Sequence, residues 1–229
     1  MIKVSSDIPL SAQAHALLRQ DILMGVLPPE TRLKTEELQK RYGLSSSPLR
    51  EALSRLVQEG LVVSDERRGA RVSPLSLQDF EQILELRLLV ETAALKSAIR
   101  EGGAEWEAEL VAAHYRLNKV EIELGAQPVL LTEEWETLHR RFHLALLAAC
   151  PNDRQRTLSA TLFDQAERYR RLSGRTRHTH RPAQEHQRLS DATLARDEET
   201  AAALLQEHLC TTFDNVRHAL VHAHPQRHE

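Results

Sequence analysis

The 229-residue chain carries 30 Lys and Arg against 33 Asp and Glu, a formal net charge of -3, with 28% charged and only 4% aromatic side chains. A chain of this length can bury two modest cores, its Leu- and Ala-rich makeup favours helices over sheets, and its slightly acidic balance excludes nucleic-acid binding over the whole surface. Cys150 and Cys210 are too few for a disulfide framework and lack C-x-x-C spacing, so both are expected as inert buried thiols. Met1 to Leu10 lacks the apolar core of a signal peptide and no stretch reaches membrane-span length, which predicts a cytoplasmic protein with no membrane partner.

In chain order, Ala14, Leu17, Leu18 and Ile22 give Ser11 to Met24 a helical period that Gly25 and Pro28-Pro29 stop. Thr35 opens a second short helix closed by Gly43, and Ser47 as N-cap with Pro48 at the first helical position opens a third, to about Glu59. Leu61 to Ser64 and Ala70 to Ser73 are predicted strands around a turn from Asp65 to Gly69. Three helices plus a hairpin predict a winged helix-turn-helix over residues 1–75. From Leu77 the helical period persists, with breaks at Gly102-Gly103, Gly125 to Pro128, Pro151-Asn152, Gly174 to Pro182 and Arg196-Asp197. Residues 76–229 are therefore expected as an all-α bundle of six helices with a fraying His-rich tail, and the whole chain as mostly α.

Charge is uneven along the first segment, where Arg32 to Arg71 holds nine Lys and Arg against six Asp and Glu. In the third helix Leu49, Ala52, Leu53, Leu56 and Val57 form one stripe, which leaves Ser45, Ser46, Ser47, Arg50 and Ser54 on the free face near a positive helix end suited to phosphate. The fork of Arg50 matches guanine O6 and N7 in a major groove, whereas Ser tolerates several bases; alternatively Arg50 pairs with Glu51 or Asp21 on a solvated surface. Arg67 and Arg68 at the hairpin tip would enter a minor groove or clamp its phosphates, with Gly69 letting the backbone approach, or else they merely solubilise the turn. Lys34, Thr35 and Arg55 complete the candidate DNA-contacting set.

The run Tyr42-Gly43-Leu44-Ser45-Ser46-Ser47-Pro48-Leu49-Arg50-Glu51-Ala52-Leu53, followed by Leu56-Val57-Gln58-Glu59-Gly60-Leu61-Val62, resembles the signature of the GntR family of bacterial regulators over most of residues 11 to 75. The resemblance implies that the third helix is a recognition helix and Arg50 its DNA-contacting arginine. Ser46 and Glu36 stand where many or some members carry Arg, a departure that bears on the operator sequence.

In the second half several histidines fall on apolar stripes. His139 and His143, four residues apart beside Trp135, Leu138, Phe142 and Leu146, have the spacing that lets two imidazoles share one metal ion. His186 lies beside Leu189 and Thr193, and His208 lies within the stripe Leu205, Leu209, Thr212 and Val216. Taken singly, each reads as a core histidine. Together, four buried neutral imidazoles without partners would cost more than a core readily supplies, which favours coordination. The stripe Phe80, Ile83, Leu84, Val90 and Ala94 also contains Arg87, whose anion is either Glu91 four residues on or a ligand carboxylate. Trp135, Arg168 and Tyr169 are further candidates for that pocket.

These features resemble the FCD effector domain of the FadR-like GntR subgroup, over Leu77 to about Val221. The resemblance implies a metal held by an acidic residue and a His in D-x-x-F-H plus two later histidines. Here the run is His139-Arg140-Arg141-Phe142-His143 followed by His186 and His208, and His139 stands where Asp is usual. That leaves either a four-His site or His139 as a direct ligand contact. Arg87 matches the family position that pairs with an effector carboxylate, and Gly102 to Ala108 with Glu134 to His143 resemble one branch of the subgroup, which implies a glutarate-like C4 to C5 acid as effector.

The expected mechanism is a homodimeric repressor that places two recognition helices on a near-palindromic double-stranded operator. A zinc or nickel ion, suited to imidazoles, would orient the acid against Arg87. The rivals are a metal-responsive regulator without an organic effector and a helical-bundle metalloenzyme. Against the enzyme stands Glu136-x-x-His139 as a single such pair, where a di-iron bundle needs two.

Overall fold

The computed structural model describes residues 8–65, 69–124, 132–173 and 182–223. It divides into two compact units, Met1–Ser76 and Leu77–Glu229. In the first, α1 (Leu10–Leu23) and α2 (Thr35–Tyr42) precede α3 (Ser46–Gln58) and an antiparallel hairpin of β1 (Val62–Asp65) and β2 (Gly69–Val72), registered Val62 with Val72 and Asp65 with Gly69. The segment before α2 runs along β2: the Leu33 amide donates to the Ala70 carbonyl at 2.8 Å, the Val72 amide donates to the Thr31 carbonyl at 2.9 Å, and Arg32 bridges Arg71. These bonds tie the wing to the start of α2.

Leu18, Leu49, Ala52, Leu56, Leu61 and Val72 close one apolar core between α1, α3 and the hairpin. Gly43 ends α2 in the left-handed region at φ 68°, the turn that reverses the chain into α3. Two local expectations are corrected. The helix starts at Ser46 with Ser45 as N-cap, which puts Pro48 at the third helical position; its missing N–H is one of those with no intrahelical acceptor in a first turn. Val57, at the end of the stripe, faces outward and is exposed, not part of the core.

The second unit contains α4 (Leu77–Glu101), α5 (Ala104–Leu124), α6 (Glu133–Leu147), α7 (Asp153–Ser173), α8 (Pro182–Leu194) and α9 (Glu198–Ala223). Helix α4 packs on α9 and α7, α5 packs on α6 and α8, and one core runs from Ala94 and Leu95 through Trp106, Leu117 and Phe142 to Leu189, Leu205 and Leu209. Thr132 caps α6 by accepting the Trp135 amide at 3.1 Å. Of the two thiols only Cys150 is buried; Cys210 is exposed because it lies on the outer face of α9, opposite the stripe. The predicted breaks at Gly125 to Pro128 and before Pro182, and the tail beyond Ala223, lie outside the described residues. No described helix is long and apolar enough to cross a membrane.

Candidate metal centre and nucleic-acid interface

In the first unit the N-terminal ends of α2 and α3 share one surface. Lys34, Thr35, Glu36, Gln39, Ser46 and Arg50 line an open hollow, and Lys34 and Thr35 also line a neighbouring one with Arg32, Leu53 and Gly69. Neither Lys34 nor Ser45, the two N-cap residues, closes its helix with a side-chain bond, so backbone amides at both ends remain available to an anion. Arg50 is exposed and, among the described residues, forms no ion pair. Asp21, one of its alternative partners, is taken by the Arg41 guanidinium at 2.9 Å and by the Tyr42 hydroxyl at 2.6 Å. Ser45, Ser47 and Arg55 are exposed on α3, with Arg55 about 140° around the helix from Arg50 at 100° per residue. Arg67 and Arg68 lie outside the described residues.

In the second unit α6, α8 and α9 bring four histidines together. His139, His143, His186 and His208 are all buried, and one ring nitrogen from each lies within 4.8 Å of the other three. The Nε2 atoms of His139 and His143 are 3.1 Å apart. Carboxylates on the outer side fix two of the rings. His186 Nδ1 donates to Glu121 Oε1 at 3.0 Å, and His208 Nδ1 donates to Glu185 Oε2 at 2.8 Å. With Nδ1 engaged, each of these rings turns Nε2 inward, and His186 Nε2 is buried without a hydrogen-bond partner among the described residues. Burial, reinforced by Arg170 for His139 and by His208, His186 and Arg87 for His143, holds both imidazoles well below the ordinary histidine pKa, so both keep a lone pair at neutral pH.

This donor set fits a transition metal. Tetrahedral imidazole ligation at about 2.0–2.1 Å places nitrogens roughly 3.3 Å apart, close to the His139–His143 separation and reached by the other pairs through small ring movements. An inward, otherwise orphaned Nε2 is the group a cation would satisfy.

Arg87, His139, His143, Phe163, Arg170 and His208 are among the residues that border a cavity of about 10 Å³, room for about one water. Arg87 already has its anion: Nε donates to Glu91 Oε1 at 2.5 Å and an Nη to Oε2 at 3.1 Å, both residues being buried. Trp135 stacks on His139 with ring centroids 4.5 Å apart and donates Nε1 to Glu121 at 3.1 Å. Sequence reasoning put Arg168 and Tyr169 in this pocket, but the structure puts them elsewhere. Tyr169 stacks on Phe80 and hydrogen-bonds Asp79 near the start of α4, and Arg168 interacts with the same carboxylate. Phe163, Ala166, Glu167 and Arg170, spaced as one helical face, are the α7 residues that meet the histidines, so the arginine of the cavity is Arg170, paired with Glu167 and lying 4.5 Å from the Trp135 ring. Glu121, Glu185 and Arg170 were missed because a charged residue among other charged residues on a helix reads as solvent-facing.

Comparison with known proteins accounts for both units. Residues 10–72 match the gntR family of bacterial regulatory proteins, and residues 82–211 match the FCD domain. The HTH-type transcriptional regulator BphR of Paraburkholderia xenovorans is 39% identical over 87% of this chain and 82% of its own. The HTH-type transcriptional repressor GlaR of Escherichia coli is 34% identical over 92% and 97%. The fold matches E. coli McbR/YncC with a TM-score of 0.78 at 20% identity, covering 92% and 98% of the two chains. A winged helix with a helical second unit, matched along nearly the whole chain, therefore belongs to the GntR family of bacterial transcriptional regulators, in the FadR-like subgroup with an FCD domain, and is a regulator, not an enzyme.

Proposed function

We propose that the chain is a homodimeric, metal-dependent repressor whose grip on a near-palindromic operator is released by a small dicarboxylate. The observation that carries this reading is the convergence of four buried imidazoles beside two guanidiniums, Arg87 and Arg170. His139, His143, His186 and His208 would hold a divalent ion, zinc or nickel by donor type. When bound, such an ion supplies a Lewis acid that attracts a carboxylate oxygen. Arg87 and Arg170, which border the same cavity, orient the acid, and the resemblance to the subgroup implies a glutarate-like C4 to C5 acid. Because the cavity has room for little more than a water, such an acid enters only as side chains separate, which supplies the difference between two states that release requires.

Lys34, Thr35, Ser45, Ser46, Ser47 and Arg50, with Arg55, Arg67, Arg68 and Gly69, are the proposed DNA contacts, in residues 1–75; residues 76–229 bind ligand and dimerise. Leu89, exposed at 71%, and Leu86 on α4, with Val111, Tyr115 and Ile122 on α5, offer apolar area to a second protomer. The relative GlaR is by name a repressor, and action on DNA supports a cytoplasmic location.

The test is binding of a DNA site selected by the wild-type protein from random sequence, measured with metal-free protein, with zinc alone, with glutarate alone and with both. Release only with both supports the proposal. Release by zinc alone favours the metal-responsive reading, which leaves Arg87 and Arg170 in the cavity without a ligand to hold. Binding unaffected by any combination refutes the sensing role.

A further inference from the structure

Glu121 on α5 supplies no ligand atom to the cluster, yet it is the most enclosed carboxylate near it, with a side chain 1% exposed. Its Oε1 accepts from two donors on different helices, Trp135 Nε1 of α6 at 3.1 Å and His186 Nδ1 of α8 at 3.0 Å, and Oε2 lies 3.3 Å from the same His186 nitrogen. Among the described residues no lysine or arginine forms an ion pair with it, although the Arg170 guanidinium lies near enough to interact with its charge; its direct ionic partner is the His186 ring. A carboxylate so deeply buried needs positive charge close by, since burial of an isolated one costs several kcal/mol even after relaxation. Its two donors satisfy its oxygens, while the nearby Arg170 is already paired with Glu167. The ring that donates to it presents, on the opposite edge, the orphaned Nε2 that faces the other three histidines.

We infer that Glu121 is a positioning residue of the metal centre: it holds His186 in the Nδ1–H tautomer with Nε2 inward, ties Trp135 against His139, and sets a buried negative charge behind the bound cation. Two of the four imidazoles are thus oriented through one carboxylate, His186 directly and His139 through the indole stacked on it at 4.5 Å. The inference rests on the metal reading above and adds a residue whose work is electrostatic as well as geometric. Carboxylate support of this kind raises the donor strength of an imidazole, and its loss lowers metal affinity by about 10- to 100-fold.

The experiment uses full-length protein stripped of metal with a chelator, dialysed, and titrated with Zn²⁺ in competition with a chromophoric chelator. Long-range proton–nitrogen spectra of the zinc-loaded histidines are recorded alongside. In the wild type the His186 Nδ1–H is expected as a downfield, exchange-protected resonance. Glu121→Gln keeps an oxygen acceptor for both donors and removes only the charge; it is expected to bind zinc about 10- to 100-fold more weakly and to shift that resonance upfield. Glu121→Ala is expected to lose at least as much, and if it fails to fold, Glu121→Gln carries the test alone. Wild-type zinc affinity in folded Glu121→Gln overturns the inference, as does weaker binding with the His186 resonance unmoved, which assigns the effect to general destabilisation. Failure of the wild type itself to take up zinc overturns the metal reading beneath it, and the two failures are told apart by which protein shows them.

Discussion

Arg50→Ala tests the DNA-reading surface most directly, because the structure separates its effect on binding from any effect on folding. Arg50 is exposed, forms no ion pair among the described residues and lies outside the core of α1, α3 and the hairpin. Its removal should therefore change stability by no more than about 0.5 kcal/mol. A guanidinium that reads a guanine edge contributes about 1–3 kcal/mol of discrimination, and the proposed symmetric dimer would present it twice, so the loss should total about 2–6 kcal/mol. At about 1.4 kcal/mol per tenfold, this corresponds to a Kd increase between roughly 30-fold and 20,000-fold. Fluorescence anisotropy with the selected site measures it, at two or more salt concentrations. If Arg50 contacts a base, the loss is confined to the selected sequence and the salt slope barely changes; if it contacts a phosphate, all sequences weaken and the slope falls by about one per contact. Wild-type affinity in a folded, dimeric Arg50→Ala protein would refute the assignment of Arg50 as a DNA contact.

His143→Ala removes the imidazole closest to His139 and should lower bound zinc, read by elemental analysis, from about one ion per chain to a small fraction; unchanged content would make the cluster structural. Leu89→Asp should shift the protein toward monomer in sedimentation and weaken operator binding with it; an intact dimer would move the interface off the exposed face of α4. Arg87→Ala strands the buried Glu91 charge and should destabilise the second unit by about 3–5 kcal/mol, with part of the loss recovered by adding Glu91→Gln; a change below 1 kcal/mol by denaturant unfolding would show that water reaches the pair.

How much of this was legible depended on whether the signal was local. Gly43 at the end of α2 and Gly69 at the wing carry conformational preferences that act over one turn, and apolar spacing places Leu49, Ala52, Leu53 and Leu56 on one stripe. The start of α3 was misplaced because Ser45, Ser46 and Ser47 are chemically equivalent caps, and Pro48 fits either the first or the third helical position, neither of which needs its N–H. The four histidines were legible for a different reason: imidazoles on apolar stripes conflict with burial unless something satisfies them, and that conflict is visible without knowing how the helices pack.

Arg170 and Glu121 show where that reasoning stops. In the run Arg168-Tyr169-Arg170-Arg171 the residues differ by steps of about 100° around one helix, so choosing among them requires knowing which face of α7 meets the bundle. Phe163 and Ala166 settle that only once they are seen against the histidines. Glu121 sits among charged neighbours on α5, and its role exists solely through contacts with α6 and α8, at sequence separations of 14 and 65 residues. The histidines of the cluster announce themselves by being polar on apolar stripes, but the charged residues around them look like surface. Charge balance also constrains the effector. Arg87 and Arg170 are each engaged by a glutamate of their own helix, so an incoming acid gains only the difference between its contacts and those of Glu91 and Glu167. In the proposed mechanism the ion therefore has to supply much of the attraction, which is why release by acid is expected to require metal.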